Sequence, residues 1–216
     1  MKKNLEYVVM CCIFVSSNHN QTRGQVYWTP LIMGLDMYLS KKTYVKRWEH
    51  KTPEEQYEVS VKKGGVTYPN VNPERISYVT EEITYWRKAN QIHGWFVENT
   101  EEIVDNVKYY VTRENLEELL STCKQVLDLL NKSKKTTTQV VAGWRNGEEY
   151  KEDVEVYKDV DDIMDLLPPT QGFFFGSYEV DDWYKEQIVD TITALENELS
   201  IDSDDYGAEY EYYASW

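Results

Sequence analysis

Two polar residues within an apolar helical pattern are the strongest candidates for a functional site in this chain. The imidazole of His93 can bind a metal ion or move a proton near neutral pH, and Asn90 precedes it by one helical turn. Trp86 lies a further turn back, and Arg87 could hold a phosphate or a carboxylate. These four residues are the predicted ligand-binding candidates. A second interpretation makes Asn90 and His93 buried, hydrogen-bonded and structural.

The residues before this group predict that they belong to one helix. Thr80 has the side chain of an N-cap, and Glu81 and Glu82 follow in the first turn, where the helix dipole favours acids. Gly94 falls on the polar side and predicts either a close backbone approach or an early helix end. The apolar side and its margins comprise Ile83, Tyr85, Trp86, Ala89, Asn90, Ile92, His93, Phe96 and Val97.

Hydrophobic periodicity predicts the remaining elements. Strands are expected at 35–39, 57–61, 66–68, 107–111, 138–144, 154–157 and 172–177. Residues 210–216 are expected to form a strand or a docked tail. Thr112 is expected to cap a second helix. A short acidic helix or turn is expected at 159–167, and a longer helix at 180–199. Hairpin signals and irregular spacing together predict an α+β fold, with a mainly antiparallel sheet packed by about three amphipathic helices.

Charge is distributed unevenly along the 216 residues, whose net charge is −15. Residues 33–100 carry a net charge of +1, whereas residues 101–216 carry −18. An acidic surface repels nucleic acid and attracts basic protein surfaces. We therefore expect a protein partner with a basic surface and do not expect nucleic acid binding. Solubility alone is the other interpretation of this charge.

Local motifs for cofactors and metals are missing from the sequence. It contains no Gly-rich phosphate loop, Gly-x-Ser-x-Gly, Cys-x-x-Cys or His-Glu-x-x-His. Residues 202–207 begin like a calcium loop, but Tyr206 and Tyr213 stand at its fifth and twelfth positions. Cys123 falls on the apolar side of the second helix and is expected to be buried. We expect no cofactor and no metal, and assign no catalytic residue. An enzyme remains an alternative because active sites are assembled in space.

Residues 1–32 differ from the rest of the chain. A basic start and an apolar run at 7–15 are similar to a short signal peptide, although Glu6 interrupts the pattern. A globular pattern begins at Met33, so we interpret residues 1–32 as a non-globular extension before the natural start. A signal peptide and an ordered or flexible extension are the alternatives. Residues 33–216 are expected to form one domain, located in the cytoplasm and without a membrane span.

Four segments together resemble an uncharacterised family of bacteriophage and prophage proteins. They are residues 33–39 (MGLDMYL), 85–96 (YWRKANQIHGWF), 172–177 (GFFFGS) and 212–216 (YYASW). The resemblance covers the chain from about residue 33 onward. It implies a small viral accessory protein in the host cell, and it transfers no mechanism or catalytic residue.

The leading functional hypothesis is a phage or prophage accessory protein that binds a host factor or a defence component. One alternative is a small-ligand-binding protein or enzyme with a pocket around Trp86, Asn90 and His93. Another is a virion-associated structural protein. The sequence leaves the oligomeric state open.

Overall fold

Strands and helices follow one another through the described part of the chain. The computed structural model describes residues 34–100, 103–145, 148–172, 175–201 and 208–216. The strands are β1 (Asp36–Tyr44), β2 (Lys62–Lys63), β3 (Val66–Thr67), β4 (Tyr78–Arg87), β5 (Lys108–Val111), β6 (Lys135–Arg145), β7 (Glu148–Tyr157) and β8 (Ala208–Ser215). The helices are α1 (Asn90–Asn99), α2 (Arg113–Lys132), α3 (Asp161–Leu166) and α4 (Asp182–Leu199). None of them is long and apolar enough to cross a membrane.

A four-stranded antiparallel sheet, in the order β4-β1-β8-β5, organises the fold. In β1, Met37 lies opposite Trp86 of β4 on one side and Ala214 of β8 on the other. Because side chains alternate along a strand, Met37 and Leu39 point to one face, where both are fully buried. The pairs β2–β3 and β6–β7 form two further antiparallel hairpins. The predicted α+β fold with a mainly antiparallel sheet is confirmed.

One hydrophobic core joins the inner face of this sheet to the helices. The Phe96 ring of α1 stacks on the Tyr212 ring of β8, with centroids 4.0 Å apart. Each large apolar side chain buried in this way contributes roughly 1.5–3 kcal/mol. The largest fully buried side chains are Trp86, Tyr212, Phe96, Leu35, Met37, Leu39, Ile92, Leu116, Leu119, Leu130, Ile163 and Leu167.

Several predicted elements occur where local signals are strong. Thr112 caps α2, since its hydroxyl accepts from the Asn115 amide at 3.1 Å and Asn115 accepts from the Thr112 amide at the same distance. Cys123 is fully buried on the apolar side of α2, as predicted. β5, β6, α3 and α4 also confirm their predictions to within a few residues, whereas β7 begins at Glu148, six residues before the strand predicted at 154–157. The C-terminal aromatic segment is β8, a strand inside the sheet.

The predicted helix beginning after Thr80 is wrong in its first half. Residues 78–87 form β4 along β1, and the helix begins only at Asn90. The segment is rich in Tyr, Val, Thr and Ile, which fit a pleated strand, and β1 supplies backbone partners for it. Thr80 therefore lies within a strand, opposite Lys42, and is not an N-cap.

Two predicted strands are also wrong. Residues 57–61 are irregular, and only the two-residue strands β2 and β3 form on either side of the turn at 64–65. Gly172 and residues 175–177 are irregular as well, while Phe173 and Phe174 lie outside the described residues. In that segment the carbonyls of Phe175 and Ser177 accept from a side chain of α1 instead of from a neighbouring strand. The calcium-like residues 202–207 also lie outside the described part.

Candidate functional site

The candidate residues are positioned by the junction between β4 and α1. β4 ends at Arg87, and Lys88 then adopts a left-handed backbone conformation with φ of 58°. This conformation is uncommon for a residue other than glycine. The Lys88 amide donates to the Leu35 carbonyl at 2.7 Å, which holds the turn against the start of β1. The chain thereby leaves the sheet and brings Asn90 and His93 into the first turns of α1.

His93 is enclosed by aromatic side chains and is only 3% exposed. Its Nδ1 atom shares a 2.8 Å hydrogen bond with the Tyr212 hydroxyl. The rings of Phe175 and Trp216 meet the imidazole at steep angles, with centroid distances of 5.3 and 5.1 Å. One residue of α1 therefore contacts both the C-terminal strand and the segment before α4.

Burial lowers the pKa of His93 to about 4, so the imidazole is neutral at pH 7. Burial also raises the pKa of the Tyr212 hydroxyl, which keeps the phenol protonated. A general base works best when its pKa lies near the operating pH. This environment consequently suits a neutral structural hydrogen bond better than proton transfer near neutrality.

Asn90 ties α1 to the segment that precedes α4. Its Nδ2 atom donates to the Phe175 carbonyl at 3.2 Å and to the Ser177 carbonyl at 2.7 Å. Its Oδ1 atom and the Nε2 atom of the neighbouring Gln91 are buried and find no partner among the described residues. Buried polar atoms of this kind are commonly satisfied by an ordered water molecule.

Trp86 and Arg87 point to opposite faces of the sheet. Trp86 is buried on the inner face, and its Nε1 donates to the Thr191 hydroxyl of α4 at 2.9 Å. Arg87 is exposed next to Asp36 in the register of β1. The structure therefore brings Trp86, Asn90 and His93 into one core and leaves Arg87 outside it.

The main partners of these residues were missed in the sequence. Tyr212 lies 119 positions after His93, and Thr191 lies 105 positions after Trp86. Helical periodicity carries no information about such distant contacts. Gln91 is not among the residues predicted for the apolar side of the helix, yet it is buried. Among the described residues, no three His, Cys, Asp or Glu side chains are grouped closely enough to hold a metal ion.

The sheet face opposite the core carries a row of tyrosines. Tyr38 lies between Tyr85 and Tyr213, with ring centroids 5.0 and 5.8 Å away. The Tyr85 hydroxyl donates to Asp36, and this hydrogen bond raises the pKa of Tyr85 to about 12. Within this row, Tyr85 is still 43% exposed.

A second exposed surface is the hairpin of β6 and β7, called the β-ribbon below. The first six residues of β7 are exposed, and four of these six are acidic: Glu148, Glu149, Glu152 and Asp153. Glu155, also exposed, approaches Lys135 at 3.8 Å. The sequence predicted β6 but only residues 154–157 of β7, so it missed the acidic first part of this strand.

The carboxylates of β7 share the ribbon with few cations. β6 contributes Lys135 at its base, whose ammonium group already contacts Asp182 at 2.6 Å, and Arg145 at its other end, opposite Glu148 in the register. Lys151 is the one basic residue within β7. With five acidic and three basic residues, the β-ribbon carries a net negative charge.

Comparison with known proteins does not add a relative to this description. No family model, no curated protein and no solved structure matches the chain.

Proposed function

We propose that this protein is a bacteriophage or prophage accessory protein that binds a partner protein through a basic surface of that partner. A host factor or a defence component is the expected kind of partner. The single observation that carries the proposal is the acidic strand β7 of the β-ribbon. Its five exposed carboxylates outnumber the three basic residues of the ribbon, Lys135, Arg145 and Lys151.

Electrostatic complementarity explains why such a ribbon suits protein binding. Like-charged groups on one strand repel one another, and a basic surface would relieve that repulsion. Complementary charge also speeds encounter and rejects unsuitable partners. No further strand pairs with β6 or β7 among the described residues, so backbone groups of the ribbon are open to a partner as well.

The tyrosine-rich C-terminal segment contributes less to this proposal than its composition suggests. Tyr210 and Tyr212 are buried, and they hold β8 in the sheet. Tyr213 forms part of the tyrosine row and donates to Asn106 at 2.7 Å. We therefore assign the principal contact to the β-ribbon. The viral origin and the location in the host cell rest on the resemblance of residues 33–39, 85–96, 172–177 and 212–216.

Affinity capture with a matched pair of charge variants tests the proposal. The ribbon variant is Glu148→Lys, Glu149→Lys and Glu152→Lys. The control is Glu118→Lys, Asp128→Lys and Glu186→Lys, which alters net charge equally on exposed positions of α2 and α4.

Each tagged full chain is incubated with bacterial lysate, and the captured proteins are quantified by mass spectrometry. We expect a specific protein that the wild type and the control retain, that the ribbon variant loses, and that salt releases. Equal capture by the ribbon variant and the control, or no specific protein from any suitable host, would contradict the proposal.

A further inference from the structure

A groove lies between the β-ribbon and the segment that leads into α4. Its volume is about 720 Å³. Residues 139–141 of β6 and Val154 of β7 line one side, and residues 176–179 with Asp181 line the other. The groove is therefore bordered by a strand and by an irregular segment that Asn90 holds in place through the Ser177 carbonyl.

The lining of the groove combines apolar surface with negative charge. Val140, Val154 and the ring of Tyr178 supply the apolar part. Glu179 and Asp181 are the charged residues that line it, and both are acidic.

The carboxylates of the groove still have the capacity to bind a cation. One Asp181 oxygen accepts from the Tyr184 amide at 2.9 Å and caps α4, which leaves the second oxygen for another donor. The nearby Lys135 is engaged with Asp182 at 2.6 Å and with Glu155 at 3.8 Å. Within the described residues, Glu179 and Asp181 form no ion pair.

We propose that this groove binds an extended, arginine-containing segment of the partner protein. The aliphatic part of the arginine packs on Val140 and Val154, and its guanidinium group donates to the carboxylates of Glu179 and Asp181. Arginine fits because its rigid fork of donors can engage two carboxylates while its stem covers apolar surface. The volume exceeds that of one side chain, so neighbouring residues of the segment also enter. The inference rests on the proposed function and identifies the chemistry of its partner.

A direct binding measurement with a defined probe tests this inference. The probe is a short fluorescent peptide that alternates arginine and valine, and its citrulline counterpart serves as the uncharged control. Fluorescence anisotropy measures binding to the full chain. Amide chemical shifts of the 15N-labelled chain locate the binding site.

The groove variant Glu179→Gln with Asp181→Asn removes both charges, and the asparagine retains the ability to cap α4. Glu118→Gln with Asp128→Asn on α2 is the matched control. We expect the groove variant to weaken peptide binding about tenfold or more, as loss of a charge-assisted hydrogen bond predicts. The control should bind as the wild type does, the citrulline peptide should bind weakly, and shifts should cluster at residues 139–141 and 176–181.

The groove assignment would be overturned if the groove variant bound the arginine peptide as tightly as the wild type. It would also be overturned if the amide chemical shifts changed only at the acidic residues of β7. The two proposals fail separately. If the ribbon variant loses its captured protein while the arginine peptide does not bind the groove, the groove inference is wrong and the proposed function stands. If the peptide binds the groove but no protein is captured, the proposed function is the one overturned.

Discussion

Mild acid should destabilise this protein through His93. The unfolded chain binds a proton on this residue near pH 6.5, whereas burial lowers the pKa in the folded state to about 4. As the pH falls through this window the unfolded state takes up the proton first, so stability is lost between about pH 6.5 and 4. Between pH 7 and pH 5 the loss is about 2 kcal/mol, a considerable part of the stability of a typical domain.

Urea unfolding of the wild type and of His93→Asn at pH 7 and pH 5 measures this effect. Asparagine stays neutral over the range and can accept a hydrogen bond from Tyr212, so the variant records every other pH effect. The wild type should lose about 2 kcal/mol more than the variant. We compare only this difference, because the smaller side chain also lowers stability at both pH values.

The lower limit of pH 5 separates His93 from the carboxylates. The hydrogen bond between Glu211 and Lys108 lowers the pKa of the Glu211 carboxyl group. The contribution of Glu211 to stability is therefore lost only at lower pH. Equal pH dependence in the wild type and His93→Asn would show that the imidazole is not held neutral in the core. A His93 ring that titrates near pH 6.5 by NMR in the folded protein would contradict the structure in the same way.

Three further predictions can be measured by urea unfolding at pH 7. Gly94→Ala should destabilise the protein by about 1–3 kcal/mol, because the alanine Cβ would overlap the Thr170 hydroxyl even though alanine favours helices. The added change Thr170→Ala should restore part of this loss, and additive effects of the two changes would refute the overlap. Thr112→Ala should cost about 1 kcal/mol by removing the cap of α2; no change would contradict the cap. Trp86→Phe should cost about 2 kcal/mol through the lost bond to Thr191 and the smaller ring; a cost below about 0.5 kcal/mol would contradict that contact.

The elements that could be predicted from the sequence are those whose signals lie within a few residues. α2 is the clearest case, since Thr112 and Asn115 are three positions apart and its apolar side repeats at helical spacing. β6 and β7 are neighbours in the sequence, so their pairing also depends on nearby residues. Of the two alternatives predicted at Gly94, the close approach is the one present, because the helix packs there against Thr170. The predicted polar side is wrong at this position, since Gly94 is buried.

The candidate site was predicted less well because its partners are distant in sequence. Residues 80–87 satisfy both helical and strand patterns, and pairing with β1 decided between them. Asn90 and His93 were recognised as polar groups in apolar surroundings. Their contacts with Ser177 and Tyr212 depend on how separate elements pack.

By itself the sequence determined the α+β class, the cap and apolar side of α2, and the acidic character of the second half, because composition and short-range periodicity suffice for these. Only the tertiary structure decided that Trp86 belongs to a strand, that His93 is neutral beside Tyr212, and that the acids of β7 form an exposed surface. Each of these depends on long-range strand pairing and burial, since pairing sets the register and burial sets the free-energy cost of charging a side chain.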